Sequence, residues 1–458
     1  MWPWSRLVAD SMISEQRFPL TRRQPDEIIA FRTGSPVRVD DFLDEVIALA
    51  RRLPNHKWSI NLHVDRYRYL RAFCAAILAG QCTLMPANRQ PATLKQLREV
   101  YPDSYTIGES DDESGFLNSA RRFASAVPEV ASMQLCAIAF TSGSTGAPRP
   151  NYKYWQTLVK GSSSNEDLLL GRGSQTVNLL ATVPAQHMWG LETSVVLPLF
   201  APVAASNQVP FFPQDIASAL AAIPAPRVLV SSPVHLDALL RSGVKLQDVA
   251  RIYTATAPLS KRLAKALENE FQTTVTDIFG CTETGIIAAR QTSTEVLWNL
   301  ARAFELSTKS NGTRIAAEHL PEDVLMPDII ELAGNHQFRW IGRPQDMINI
   351  AGKRGSLADL NQRLREIPGV SDGVIFLPPG RGDRLAAMVV APQLQVSGIV
   401  EHLRQQVEPV FLPRPIYLVP ALPRQETGKL ALAAVHCLFE EIRRSRPRAK
   451  ETTQQSDE

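Results

Sequence analysis

Cysteine is scarce in this chain, long apolar runs are absent, and neither sign of charge dominates; each absence removes a class of protein. The five cysteines among 458 residues, Cys74, Cys82, Cys136, Cys281 and Cys437, are odd in number and form no C-x-x-C pair. Neither a disulfide framework nor a zinc site is indicated, and a reducing cytoplasm is the expected setting. No run reaches the roughly 18 apolar residues that span a bilayer, and the N-terminal MWPWSRLVADSMISEQRFPL has no basic segment followed by an apolar core. The chain is therefore expected to be cytoplasmic and not membrane-embedded. Forty-nine basic residues against 46 acidic ones leave a net charge of +3, too weak a field to suggest nucleic acid as a partner. Repeats and extended low-complexity tracts are also lacking, and residues 446–458 read as a solvated, flexible tail.

What remains is an ordinary globular composition, 44% hydrophobic and 21% charged, in a chain too long for one core. Short β-rich apolar runs alternate with helical patterns, the signature of parallel-sheet units. RVLVSSPVHLDALLRSG reads strand, turn, helix. RIYTATAPLSKRLAKALENEF repeats the plan, with Ser260 as a helix cap and Leu259, Leu263, Leu267 and Phe271 spaced by four along one face. TVTDIFGCTETG is a strand running into a Gly- and Thr-rich turn. Three strands thus end in loops of small or polar residues, at 141–146, 254–260 and 279–285. In open α/β sheets ligands sit beyond the carboxyl ends of strands, so the three loops are a candidate site. After residue 342 the chain starts a strand, helix and strand pattern of its own, which places a domain boundary near 342–347.

The loop in AIAFTSGSTGAPRP is either a linker or a cradle for an anion. Its glycines allow close backbone approach, and its hydroxyls and N–H groups suit phosphate. It is not the G-x-x-x-x-G-K-[ST] loop, because the nearest basic residue is Arg149, beyond Pro148. In IFGCTETG, the carboxylate Glu283 beside a phosphate loop implies an intervening cation such as Mg²⁺; the plain alternative is a capping Thr and Glu. Lys429, in LPRQETGKL, follows a glycine in a turn and on its own reads as solvated.

Together these segments resemble the adenylate-forming superfamily of acyl- and aryl-CoA synthetases, nonribosomal adenylation domains and luciferases. TSGSTGAPR is similar to its phosphate-binding loop, TATAPLS to its adenine segment, IFGCTETG to its aromatic-Gly-x-Thr-Glu motif, GRPQDMINIAGKR to its hinge, and LPRQETGKL to its catalytic-lysine motif. The motifs run in family order from about residue 75 to 430, with weaker echoes at 75–91 and 183–192.

The resemblance implies an α/β fold with a large N-terminal domain of αβ-layered subdomains (1–342), a hinge (343–346) and a smaller mobile α+β lid (347–445). It implies that Thr141, Ser142, Gly143, Ser144, Thr145 and Gly146 hold the phosphates of ATP, that Ala257 and Phe279, followed by Gly280, flank adenine, and that Asp328 and Arg343 take the ribose. Thr282 would touch the α-phosphate, Glu283 would bind Mg²⁺, His187 would border the acid pocket with Met188 and Trp189, and Lys429 would serve catalysis. The implied reaction joins a small carboxylic acid to AMP, then passes the acyl group to a pantetheine thiol of CoA or an acyl carrier protein. Compact ligases of this kind resemble those of aryl-polyene and xanthomonadin-type pathways, which points to an aromatic acid such as a hydroxybenzoate. No aspartate stands in 183–191 to meet an α-amino group. The chain departs from the family at Arg149, where lysine is usual, at Gln345 in the hinge, and in the short interval between Gly285 and Asp328. Those departures leave a second expectation open, a nucleotide-binding regulatory protein that kept the fold and lost turnover. A luciferase-like oxygenase shares the adenylation half. The basic residues Lys353, Arg354, Arg363 and Arg365 are either a surface for carrier or CoA phosphates, or a solvated face.

Overall fold

The computed structural model describes residues 16–108, 126–142, 148–171, 173, 175–309, 312–342, 346–350, 352–379, 384–424 and 430–445. Its largest element is an eleven-stranded sheet in the order Ile329–Leu332, Gln337–Gly342, Trp298–Leu300, Gly285–Arg290, Thr274–Cys281, Val249–Thr254, Arg227–Ser231, Val177–Ala181, Val203–Ser206, Ile28–Arg32, Ser35–Arg38. The central run from Thr274–Cys281 to Ile28–Arg32 is parallel, and both flanks are antiparallel.

The parallel strands are near-continuous apolar runs because both faces are covered, as the period-2 alternation of side chains requires. Leu229, Ile252 and Val275 pack under the helices Pro213–Ala221, Pro233–Arg241 and Lys261–Phe271. Val228, Val230, Tyr253 and Ile278 turn to the opposite face, against Leu169, Trp189 and Leu197. The helix Lys261–Phe271 begins as its sequence predicts: Ser260 Oγ accepts from Leu263 N at 3.1 Å, and Leu267 and Phe271 are buried. Each of those two side chains contributes roughly 1.5–3 kcal/mol by leaving water.

A second sheet of five strands runs Ser104–Ile107, Trp58–Asn61, Cys82–Met85, Leu135–Ser142, Pro148–Tyr154, parallel except for the last antiparallel pair. Residues 348–439 build two further cores of their own. One gathers Ile348, Leu364, Ile375, Val389 and Leu403; the other gathers Phe376, Met388, Tyr417 and Phe439.

Two loop expectations are corrected. Thr141 and Ser142 belong to the strand Leu135–Ser142, paired with Arg149 and Pro148, so the loop is shorter than 141–146. Likewise Phe279, Gly280 and Cys281 are strand residues, and the strand turns back within 282–284 into Gly285–Arg290 as a hairpin. In both places backbone pairing to a neighbouring strand overrides the local preference of Gly, Ser and Thr for loops. The short interval between Gly285 and Asp328 is filled by a three-stranded antiparallel sheet, Glu305–Lys309, Gly312–Ala316 and Val324–Met326.

Candidate active site

Register brings three parallel strands to a common carboxyl edge, Ala181 beside Val230 and Val230 beside Tyr253, while the neighbouring strand, joined there through Tyr253 beside Thr276, runs on past that edge to Cys281. Beyond these strands the chain continues into the segments that hold His187, Ser232, Ala257 and Glu283.

The hairpin turn carrying Thr282 and Glu283 is tight for stated reasons. A Cβ on Gly280 would lie 2.3 Å from the carbonyl oxygen of Gly285, and Gly285 sits at φ +77°. Neither position admits a side chain without strain. Glu283 is exposed and Thr282 half-buried. Beneath the turn lie two ionisable side chains from other elements. Lys153 is only 2% exposed, and its Nζ donates to the backbone oxygen of Glu283 at 2.8 Å. Burial lowers the Lys153 pKa, opposed by Glu192, Cys281 and Glu283. Glu192 Oε1 accepts from Ile286 N at 3.2 Å and from Asn165 Nδ2 at 3.3 Å. Burial pushes its carboxyl up to about 6, against the pull of the Ile286 N–H, Lys153 and Asn165.

Lys153 stands on Pro148–Tyr154, the strand that leaves the phosphate-type loop. Its bond therefore ties the five-stranded sheet to the turn of the eleven-stranded one.

In the segment expected to flank adenine, Ala257 follows Thr256, whose φ is +80°. A β-branched residue there is a genuine outlier, costing about 1–3 kcal/mol. The buried hydroxyls of Thr254 and Thr256 have no hydrogen-bond partner among the described residues. Phe279 is half-buried against Trp298 (ring centroids 5.2 Å) and Phe338 (5.5 Å). Asp328 is 5% exposed; its Oδ1 accepts from Trp340 Nε1 at 2.8 Å and its backbone oxygen from Thr313 Oγ1 at 2.7 Å.

His187 is half-buried at the start of the short helix Met188–Leu191, where its Nδ1 accepts from Trp189 N at 3.3 Å. The segment before it is pinned by two arginines. Arg66, wholly buried, donates to the carbonyls of Ala181 (2.9 Å) and Val183 (2.7 Å) and to Ser194 Oγ; Arg89 donates to Gln186 Oε1 at 2.8 Å and to His63 O at 2.9 Å. Met188 and Trp189 diverge into separate cores, and Trp189 Nε1 reaches Ser231 O at 3.4 Å. Both side chains are buried.

Gly143, Ser144, Thr145, Gly146, Arg343, Gln345, Lys429 and the tail lie outside the described residues, as do the side chains of Thr141, Ser142 and Arg354. Three of the four basic residues are described, and they differ in exposure and partners. Lys353 pairs with Glu408, Arg363 binds Asp359 (2.9 Å) and Gln406 O (3.0 Å), and burial lowers the pKa of Arg365. Lys153, Glu192, Asn165, Arg66 and Arg89 escaped the sequence reading. Only Glu192, a carboxylate inside the apolar MWGLETSVV, carries a local signal; the others stand among polar neighbours.

Among the described residues no group of three or more His, Cys, Asp or Glu gathers as a metal cage. One exposed carboxylate, Glu283, beside a threonine suits a cation that takes most of its ligands from phosphate and water, as Mg²⁺ does. No helix of the described residues is long and apolar enough to cross a membrane.

The AMP-binding enzyme family matches residues 73–311, more than half the chain, and the chain belongs to that family, within the adenylate-forming superfamily. A 4-coumarate–CoA ligase of Rhodobacter capsulatus is 27% identical over 271 residues, which span 58% of this chain and 66%, just under two thirds, of that protein. The crystal structure of ATP-bound MatB from Rhodopseudomonas palustris superimposes with a TM-score of 0.77 at 16% identity, covering 91% of this chain and 97% of that one. The anthranilate CoA ligase AuaEII in complex with anthranoyl-AMP gives 0.75 at 15% identity, covering 91% and 94%. The mixed α/β architecture, a large N-terminal and a smaller C-terminal part, is that of adenylate-forming enzymes.

Proposed function

We propose that this chain is an AMP-forming acid–thiol ligase. It activates a carboxylic acid with ATP and Mg²⁺ as an acyl-adenylate and transfers the acyl group to the pantetheine thiol of CoA or an acyl carrier protein. The observation that supports the reading is the common carboxyl edge of the parallel strands, beyond which the chain leads into the segments of His187 and Ala257 and past which the longer strand carries Phe279 and then Glu283. The orphaned hydroxyls of Thr254 and Thr256 there are polar groups that a ligand can satisfy.

In this reading Thr141 to Gly146 cradle the phosphates, Phe279 and the Ala257 backbone flank adenine, and Asp328, held by Trp340, takes the ribose with Arg343. Thr282 meets the α-phosphate, Glu283 holds Mg²⁺, and Lys429 reaches both the acid and the α-phosphate. An anionic carboxylate attacking an anionic phosphate needs positioned positive charge and N–H dipoles, which these groups supply. The domain limits are 1–342 and 347–445 with a hinge at 343–346. The acid is aromatic, of hydroxybenzoate type, a reading supported by the names of the coumarate and anthranilate ligases that the chain is similar to.

The test is pyrophosphate exchange into ATP with benzoate, hydroxybenzoate, cinnamate and fatty acids. Exchange is expected with one aromatic acid and to fall about 10²–10³-fold in Lys429→Ala, the cost of one preorganised donor. Exchange with no acid, alongside ATP binding, favours the regulatory protein instead.

A further inference from the structure

Outside the residues assigned above, the described chain holds one set of buried ionisable groups that touches the candidate site from below. Lys153 and Glu192 come from elements far apart in sequence, yet both end on the 283–286 backbone, one on a carbonyl and one on an N–H. Their bonds fix the peptide planes on either side of Thr284 and Gly285. A Cβ on Gly285 would lie 2.2 Å from Glu192 Oε1, so the carboxylate and the turn are in close contact. Glu192 also opens a π-helical stretch, Glu192–Val196. Pro198 lies two residues beyond it and lacks the N–H that would bond the carbonyl of Ser194. The bulge is where the helix after His187 offers a side chain to the hairpin.

We propose that Lys153, Glu192 and Asn165 are positioning residues: a buried polar brace that holds the Thr282–Glu283 turn in register with the strand leaving the phosphate loop, so that Glu283 meets the cation on ATP. The proposal rests on the ligase reading only in taking ATP–Mg²⁺ as the ligand. The brace touches no substrate atom and acts through the Glu283 carbonyl and the Ile286 N–H. A purely structural pair would support the fold without favouring the metal-bound nucleotide.

The experiment is calorimetric titration of ATP into the full chain, once with Mg²⁺ and once with EDTA, with thermal melting as a check on folding. Lys153→Met, Glu192→Ala and the double variant are compared; the double variant leaves neither charge buried without its partner. The wild type is expected to gain affinity when Mg²⁺ is supplied. Each folded variant is expected to lose at least tenfold of that gain, in the range found when groups supporting a metal ligand are removed, while its affinity in EDTA stays within about twofold. A variant that melts like the wild type and keeps the gain overturns the brace. If no variant folds, the pair is structural and the proposal falls. A wild type that binds no ATP overturns the ligase reading itself, an outcome distinct from either of the others.

Discussion

Two neighbouring parallel strands solve the problem of leaving a sheet in opposite ways. Beyond Thr274–Cys281 the chain reverses through a hairpin whose backbone is met by Lys153 and Glu192 and whose tight points are glycines. At and just beyond the end of Val249–Thr254 the chain carries a threonine at φ +80° and two buried hydroxyls with no partner among the described residues. The first end is over-determined by the protein. The second stores strain and unmet polar capacity, which is the state expected of backbone that a ligand completes.

Four substitutions at three positions break or sharpen that contrast. Gly285→Ala should cost the most, about 3 kcal/mol in denaturant unfolding, because the new Cβ meets Glu192 and must adopt a positive φ. Adding Glu192→Ala should return the contact part and leave about 1 kcal/mol for the backbone. Recovery of nothing would mean that Glu192 does not press on this turn.

The next effect depends on pH. The Glu192 carboxyl is raised from 4.5 to about 6 in the fold, so the native state holds its proton more tightly than the unfolded chain. Its contribution to stability is present below about 4.5 and is lost as pH rises through 6, a change of about 2 kcal/mol. Glu192→Gln should therefore gain stability over the wild type between those pH values and keep the gain above them. A pH-independent difference would show that the carboxyl titrates normally.

Smallest and opposite in sign to the first is Thr256→Gly. Removing strain at φ +80° and an orphaned hydroxyl should stabilise by about 1 kcal/mol after the entropy cost of glycine, while weakening ATP binding. Loss of stability instead would place the hydroxyl in a bond within the protein.

The contrast also separates what could be read from the sequence and what could not. The Ser260 cap and the four-spaced face of the following helix were legible because caps and helical periodicity are local. Glu283 and Asp328 were singled out through resemblance, not through any local pattern, and the fold exposes the first on a hairpin turn and buries the second under Trp340. Phe279 to Cys281 were misread because pairing with Gly285–Arg290 is a non-local fact. Lys153 was invisible for the same reason: in NYKYW it alternates like a solvent-facing strand residue, and only the meeting of two sheets buries it. That Met188 and Trp189 part into different cores was not legible either, because which way adjacent residues of a one-turn helix face depends on the elements packed around them.

The bond from Trp340 to Asp328 has an optical consequence. Indole emission shifts with the polarity around its N–H, and this N–H rests on the carboxylate proposed to receive ribose. Trp298 lies across the ring of Phe279, at the proposed adenine face. Two of the seven tryptophans are thus built-in lamps beside the nucleotide site, able to report its filling without any added label.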